Sequence, residues 1–459
     1  MDSAYAFSRF LVNTRFEDLP GDVVNVAKKD VLDILGNALG GSSDAVVTTV
    51  YDLVREWGGK GESTVITYGT KVPSFNAVLT NCTMASALDY DDAHDRARLH
   101  GGVTTVPTAL AVAELRGGVT GKEIITALCA AIEVACRLGI ASERRTPGHL
   151  MGGWDYACLH GTFSSAAVAA KLLGLNEQEM RNALGIAYHQ AAGNALSAID
   201  EVDTRKLGAG FAARSGIMAA LMAGRGITGA KAIFDESEIG LCHLYHAGCD
   251  REALLAGLGE RFEMYDMGFK PYPSCRLGHR HVDAVLKLVK EHDLQPDEIE
   301  EITPSVSQIV HTQLCVPVEA KKEPANKTAA QFSLAWVLGA AAVRRRVGIR
   351  EFAQEALKER NLLDMAARVK PTLDPGLHDE FTFAPIKIVT KRGVFETKTG
   401  YPYGSIQNPI TLEDLEIKFL DCASFSRKPL PKENLAKAIS MIRNLEVVKD
   451  VKEIIGLLY

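Results

Sequence analysis

The 459-residue chain lacks several things that would mark particular classes of protein. It has no basic stripe: Lys and Arg are spread evenly and the formal net charge is −6, so the electrostatic footprint of nucleic-acid binding is missing. The N-terminal stretch MDSAYAFSRFLVNTRFEDLP lacks a basic segment followed by a long apolar one. No later window holds about 18 consecutive apolar residues free of charge. These absences argue against a membrane partner and lead us to expect a cytoplasmic protein, with an organellar address left open. Nine cysteines, an odd number with no CxxC pair, are expected to be reduced core thiols rather than a disulfide framework. Internal repeats and low-complexity tracts are also absent.

What is present is the balance of an ordinary globular protein, 47% hydrophobic and 24% charged, in a chain too long for one hydrophobic core. From Phe16 to about residue 265, apolar residues recur at three- and four-residue spacing. VVNVAKKDVLDILGNALGG, KEIITALCAAIEVACRLGIA and FSSAAVAAKLLGL are examples, each read as a helix. The last is so rich in Ala and Ser that it suits burial on most sides. Asn176 and Glu179 sit as a capping box before another helix. After YDMGFKPYPSC the texture changes. A helix, HVDAVLKLVKEHDL, leads into the β-branched EIEEITPSVSQIV, and FTFAPIKIVTKRGVFETKTG reads as two strands joined at Lys391-Arg392-Gly393. ITLEDLEIKFLDCA, with Thr411 as N-cap, returns to helix. The expected architecture is mainly α: a large helical domain over residues 1–266, joined by C-terminal helices 404–459, and a smaller α+β lid domain over 267–403.

Ionisable chemistry concentrates in ALDYDDAHDRARLHGG, residues 87–102, where four aspartates and two histidines follow a buried-looking run. Asp89, Asp91, Asp92, His94 and His100 at a core edge need partners, and burial would push their pKa values apart. That is how one site holds a proton donor and an acceptor at neutral pH. A solvated acidic loop at a helix end is the plainer reading. Neither this stretch nor Cys242-His243-Leu-Tyr-His246-Ala-Gly-Cys249 has the spacing of a recognised metal site, so no metal is expected.

Three further segments could join it. GWDYACLHGTF carries Asp155 and Tyr156 before the Ala-rich helix; its plainer reading is a turn followed by an N-cap at Thr162 or Ser164. DTRKLGAGFAARSG offers Arg205, Lys206 and Arg214 near small residues, which suits carboxylate recognition. KPYPSCRLGHRH is a proline-stiffened linker with Lys270, Ser274, Cys275, Arg276, His279 and His281, at a boundary where clefts form. Together these segments hold the parts of a site for a small polycarboxylate.

ALDYDDAH, GTFSSAAVAAKLLGLNEQEMRNALGIA, LGAGFAARSGIMAALMA, FKPYPSCRLGH and KTAAQFSLAWVLGAAAV, in this order over about residues 10–420, resemble the MmgE/PrpD family. Its members include 2-methylcitrate dehydratase, cis-aconitate decarboxylase and iminodisuccinate epimerase. The resemblance implies a homodimer of the two-domain form, a cleft site between the domains, and no metal or organic cofactor. By analogy Asp89, Asp91, Asp92, His100, Lys270, Lys327 and Gln331 would line that cleft.

The chain departs from the family at points that matter. Where members often read GxHPT it has Asp155-Tyr156, so a histidine gives way to a carboxylate. Where they tend to read TK-x-LHPG it has Thr204-Arg205-Lys206-Leu207-Gly208-Ala209-Gly210. Arg205 therefore stands for the lysine, unless Lys206 takes over, and a histidine is lost at Gly208. A threonine after the Asp-Asp pair is Ala93, followed by His94. The substrate is expected to differ from methylcitrate and cis-aconitate.

The family's chemistry develops negative charge on a carbon next to a carboxylate, which calls for cations and a proton carrier. Arg205 or Lys206 with Lys270 would supply the cations, and His100, oriented by Asp91 or Asp92, would carry the proton. Asp155, Tyr156 or His94 would protonate a departing hydroxide. Ser274, Cys275, Arg276 and His279 would help hold substrate. The leading expectation is a cofactor-independent carbon–oxygen lyase for a hydroxylated di- or tricarboxylate. Decarboxylation and epimerisation on the same scaffold, and a non-catalytic ligand-binding homologue, are the alternatives.

Overall fold

A computed structural model describes residues 1–143, 153–377 and 384–459. Its larger part is a helical body, built where the sequence shows the 3.6-residue apolar repeat. Helices Gly21–Gly41, Ser74–Ser86, Gly102–Arg116, Gly121–Glu143, Tyr156–Leu172 and Thr204–Ala223 share one hydrophobic cluster. The capping box is present as read: Asn176 Oδ1 accepts from the amides of Gln178 and Glu179 at 3.0 Å, and Glu179 accepts from the Asn176 amide at 2.9 Å. Thr411 likewise caps Leu412–Ser424 through the Asp414 amide.

The Ala-rich helix starts earlier than its sequence suggested. It begins at Tyr156, because Asp155 rather than Thr162 or Ser164 takes the cap position and accepts from Ala157 N at 3.0 Å. Its small residues let Thr204–Ala223 approach closely. A Cβ at Gly216 would come within 2.5 Å of Ser165 Cβ, so this contact needs a glycine. Helix Gly121–Glu143 is long and apolar enough to cross a membrane by composition, yet it lies wholly inside the body. Its internal charges are satisfied there: Arg137 Nε meets Glu133 at 2.6 Å and its guanidinium donates to the carbonyls of Ala256 and Arg261.

The smaller part is α+β. Strands β1 (Ser63–Thr64) and β2 (Lys71–Val72) belong to the helical body. The main sheet comprises β3 (Ile299–Val306), β4 (Thr372–Leu373), β5 (Ala384–Thr390) and β6 (Gly393–Thr399), in spatial order β4-β3-β5-β6. β5 and β6 form the hairpin turning at Lys391-Arg392, with Thr390 opposite Gly393. Residues 381–383, read from sequence as the start of β5, lie outside the described residues. β5 alternates buried and half-buried side chains, as a strand with one face on a core must. That core joins helix His279–Glu291 and Leu334–Arg344 through Val285, Ile302, Trp336 and Ile388.

After the sheet the chain returns to the helical body, where Ile410, Leu415, Phe419 and Ile442 enter the first hydrophobic cluster. The segment between the two cores is stitched in place. Ala93 and Gly268 exchange amide hydrogen bonds at 2.8 and 2.7 Å, and Phe269 N donates to Gly404 O.

The cysteines differ from expectation at one point. Cys242 and Cys249 are joined as a disulfide, while the other seven are thiols. The eight-residue His/Cys cluster is therefore no ligand set. Its His246 packs inward against Tyr156 and His160.

Candidate functional site

Helix Ser74–Ser86 ends in a turn that reverses the chain through Asp89, whose φ of +48° is a left-handed conformation that aspartate tolerates better than most residues. The turn points Asp89 and Asp91 at the linker carrying Lys270. Lys270, buried, reaches Asp89 Oδ1 at 3.3 Å, Asp91 Oδ1 at 3.7 Å and the Asp89 carbonyl at 3.1 Å. Arg205, near the start of Thr204–Ala223, meets Asp89 Oδ1 at 3.4 Å and Asp155 Oδ2 at 3.8 Å. Burial alone would raise the Asp89 pKa, but Lys270 and Arg205 outweigh it and hold the carboxyl below its usual range. Burial would deprotonate Lys270; Asp89 and Asp91 overcome that and keep it charged.

His100 sits beside this cluster. Nδ1 meets the Asp92 carbonyl, which can only accept, so Nδ1 carries the proton; Asp91 Oδ2 lies 3.4 Å from the same nitrogen. Nε2 is left with its lone pair. Burial lowers the His100 pKa, opposed by Asp91, so the ring is neutral at pH 7. Asp92 faces the other way. Its Oδ2 accepts from the amides of Gly101 and Gly102 at 2.7 and 3.1 Å, anchoring the start of Gly102–Arg116, and burial followed by the charge of Asp91 pushes its pKa up to about 8.

A cavity of about 590 Å³ opens between the helical body and the α+β part. Asp89, His100, Asp155, Arg205, Lys270 and Arg276 are among its lining residues, drawn from four separate segments of sequence. Arg276 is already committed, in a bidentate pair with Asp95 at 3.0 and 3.1 Å. Cys275 also lines the cavity, its thiol pushed up to about 11 by burial.

Other sequence candidates lie elsewhere. Lys206 and Lys327 both meet Asp44 Oδ2 at 3.2 Å, outside the cavity wall, so it is Arg205 that faces the cavity. Gln331 donates to the Leu88 carbonyl at 2.6 Å and supports the turn from behind. Ser274 and His279 bond to each other, with His279 Nε2 3.0 Å from the Ser274 carbonyl. His281 Nε2 lies 3.0 Å from the Ser305 carbonyl. Arg214 stacks near Trp57 and Phe75.

Two proposed hydroxide-protonating groups are corrected by their surroundings. His94 touches the cavity, but Nδ1 accepts from Ala97 N and Nε2 donates to Glu263 O, both at 3.0 Å, so its ring is a structural bridge. Tyr156 is 1% exposed and its hydroxyl turns inward to His246 Nδ1 at 3.3 Å. The lost family histidine at Gly208 is matched sterically, since a Cβ there would meet Cys158 Sγ at 2.5 Å.

Sequence reasoning missed three residues around the site. Lys418, from the C-terminal helices, donates to Asp33 Oδ1 (2.6 Å), Tyr90 O (2.6 Å) and Lys270 O (2.9 Å), tying both site segments to the body. Asp30 lies fully buried beside Gly102 with both oxygens unpaired. Burial first, then Asp92, raises its pKa well above the ordinary value. Asp30 and Asp33, three apart on the apolar stripe of one helix, were the available signal. Lys321, which lines the cavity and donates to the Phe332 carbonyl at 2.8 Å, sits in no motif.

The MmgE/PrpD N-terminal domain profile matches residues 5–252 and the MmgE/PrpD C-terminal domain profile matches 272–444. A cis-aconitate decarboxylase of Aspergillus terreus is 28% identical over 378 residues, covering 78% of this chain and 76% of the fungal protein. A cis-aconitate decarboxylase-like protein of Aspergillus oryzae is 26% identical, covering 96% and 94%. The human cis-aconitate decarboxylase is 26% identical, covering 99% and 94%.

Proposed function

The chain belongs to the MmgE/PrpD family, and from that premise we propose that it is a lyase that removes CO2 from a small polycarboxylate. The observation carrying this reading is Nε2 of His100, the one imidazole nitrogen among the described lining residues without a hydrogen bond, set in a cavity whose lining cations include Arg205 and Lys270. Those cations would receive substrate carboxylates and stabilise the carbanion that forms next to one of them. The bond to the departing carboxylate breaks, its electron pair stays on carbon, and a proton from His100 ends the carbanion. His100 is neutral without substrate. Bound carboxylates would favour its charged form, so it enters the step as the imidazolium.

Loss of water, favoured on sequence, needs a further acid beside the departing hydroxide. Tyr156 and His94 are turned to other partners, and Asp155 is occupied by its cap bond and Arg205. Epimerisation needs proton carriers on two faces of one carbon, and the described lining offers one histidine with a free ring nitrogen. The names of the relatives favour decarboxylation as well.

The test is incubation of the purified protein with unsaturated and hydroxylated di- and tricarboxylates in deuterated buffer. Stoichiometric CO2 release, with one deuterium placed on carbon, is expected. Water loss or deuterium exchange without CO2 would overturn the decarboxylase assignment.

A further inference from the structure

The cavity has two unlike walls. One presents Asp89, His100, Arg205 and Lys270. The other is mainly apolar, with Ala198 and Ile199 from the helical body and Leu277, Ile309, Val316 and Phe332 from the α+β part, interrupted by Thr312, Gln313 and Lys321. Phe332 stands at the seam, its ring centre 6.0 Å from the Arg205 guanidinium carbon. The apolar wall continues to the surface: Ile199 is 57% exposed, and Val318, just beyond the lining residue Pro317, is 44% exposed.

A substrate consisting of carboxylates on a short carbon skeleton would use one wall only. Its charges would pair with Arg205 and Lys270, and the facing aliphatic side chains would stay against water, with none of the gain that burying apolar surface brings. The volume, about 590 Å³, falls within the range of roughly 300–1,000 Å³ typical of pockets that enclose drug-sized ligands. The space beyond the charged wall is therefore large, and its lining is mainly apolar.

We infer that the natural substrate is a polycarboxylate bearing an aliphatic arm, with the carboxylates on Arg205 and Lys270 and the arm along Leu277, Ile309, Val316 and Phe332 toward Ile199. The inference rests on the polycarboxylate reading above and adds the second half of the ligand.

Saturated 2-alkylsuccinates test it by binding alone, because they carry the two carboxylates and cannot lose CO2 in the proposed way. Calorimetric titration of the full-length protein with succinate and its methyl, butyl and hexyl derivatives should show affinity rising about two- to fourfold per methylene. Ile199→Ser and Ile309→Ser should each reduce that gain; the exposure of Ile199 makes the first variant safe for folding. A series flat or falling with chain length, or a gain untouched in both variants, overturns the aliphatic-arm assignment while the polycarboxylate reading stands. Hexanol binding as tightly as hexylsuccinate also overturns it, because the charged wall would then contribute nothing. Failure of every succinate to bind overturns both readings.

Discussion

Arg205 and Lys270 converge on one atom: Asp89 Oδ1 lies 3.4 Å from the guanidinium and 3.3 Å from the ammonium. Two cations from segments 65 residues apart are thus held side by side by a shared carboxylate, which offsets their mutual repulsion before any substrate arrives. An incoming carboxylate meets a preorganised pair and spends little on arranging it.

Removing either cation should therefore cost much more activity than removing the neighbouring lysines. Arg205→Ala and Lys270→Ala are each expected to lower kcat/KM about 10²–10³-fold. Lys270→Ala should also lose roughly 3–5 kcal/mol of stability, because buried Asp89 and Asp91 lose the ammonium they share. Lys206→Ala and Lys327→Ala, whose partner is Asp44, should stay within about tenfold of wild type. Steady-state kinetics with parallel thermal melts checks this; equal losses in all four variants would contradict the proposed cavity roles.

His100→Asn keeps a donor for the Asp92 carbonyl but has no proton to move. It should fold, bind carboxylates and lose about 10²–10⁴ in kcat. The His100 pKa lies below its ordinary 6.5 in the free protein. Because kcat/KM reports the free form, it should fall as pH rises through a value under 6.5; kcat, which reports the complex, should fall at higher pH. A pH profile of the Asn variant with the same limb would assign that limb to another group.

Asp30 should act against stability at neutral pH. Its folded pKa lies well above the ordinary 3.8, so folding takes up a proton between those two values and stability drops as pH rises through that window. Asp30→Asn removes the titration and keeps the shape. It should be more stable than wild type at pH 8, by roughly 1–3 kcal/mol on the scale of a buried unsatisfied polar group, with the advantage shrinking toward pH 4. Denaturant melts at the two pH values decide it, and a variant less stable at pH 8 would refute the protonated-carboxyl picture.

Lys418 should matter to catalysis without lining the main cavity. Lys418→Met leaves Asp33 buried without its 2.6 Å partner and frees the carbonyls of Tyr90 and Lys270. A loss of roughly 3–5 kcal/mol is expected, together with a fall in kcat at temperatures where the variant is still folded. Unchanged kcat in the folded variant would reduce Lys418 to a purely structural strut.

Much of this molecule was legible in one dimension. The helical repeat, the Asn176–Glu179 capping box, the switch to β-branched residues near Ile299 and the turn at Lys391-Arg392 are local features, and local chemistry decides them. The density of charge in residues 87–102 marked the candidate site for the same reason: so many ionisable groups behind an apolar run need partners, and Asp89, His94 and His100 do line the cavity. What stayed illegible was direction. His94 and His100 are six residues apart with the same side chain, yet one bridges two backbone groups and the other keeps a free nitrogen. Arg205 and Lys206 are adjacent and face different aspartates.

Periodicity, capping and turn chemistry thus settled the elements and the inventory of reactive groups, because those depend on neighbours a few residues away. The choice among groups waited for packing. Which histidine is neutral and open, which cation meets Asp89, and which aliphatic side chains face them across the cavity are set by contacts between segments up to hundreds of residues apart. Burial and electrostatics act through space, so their outcome appears only once the chain has closed on itself.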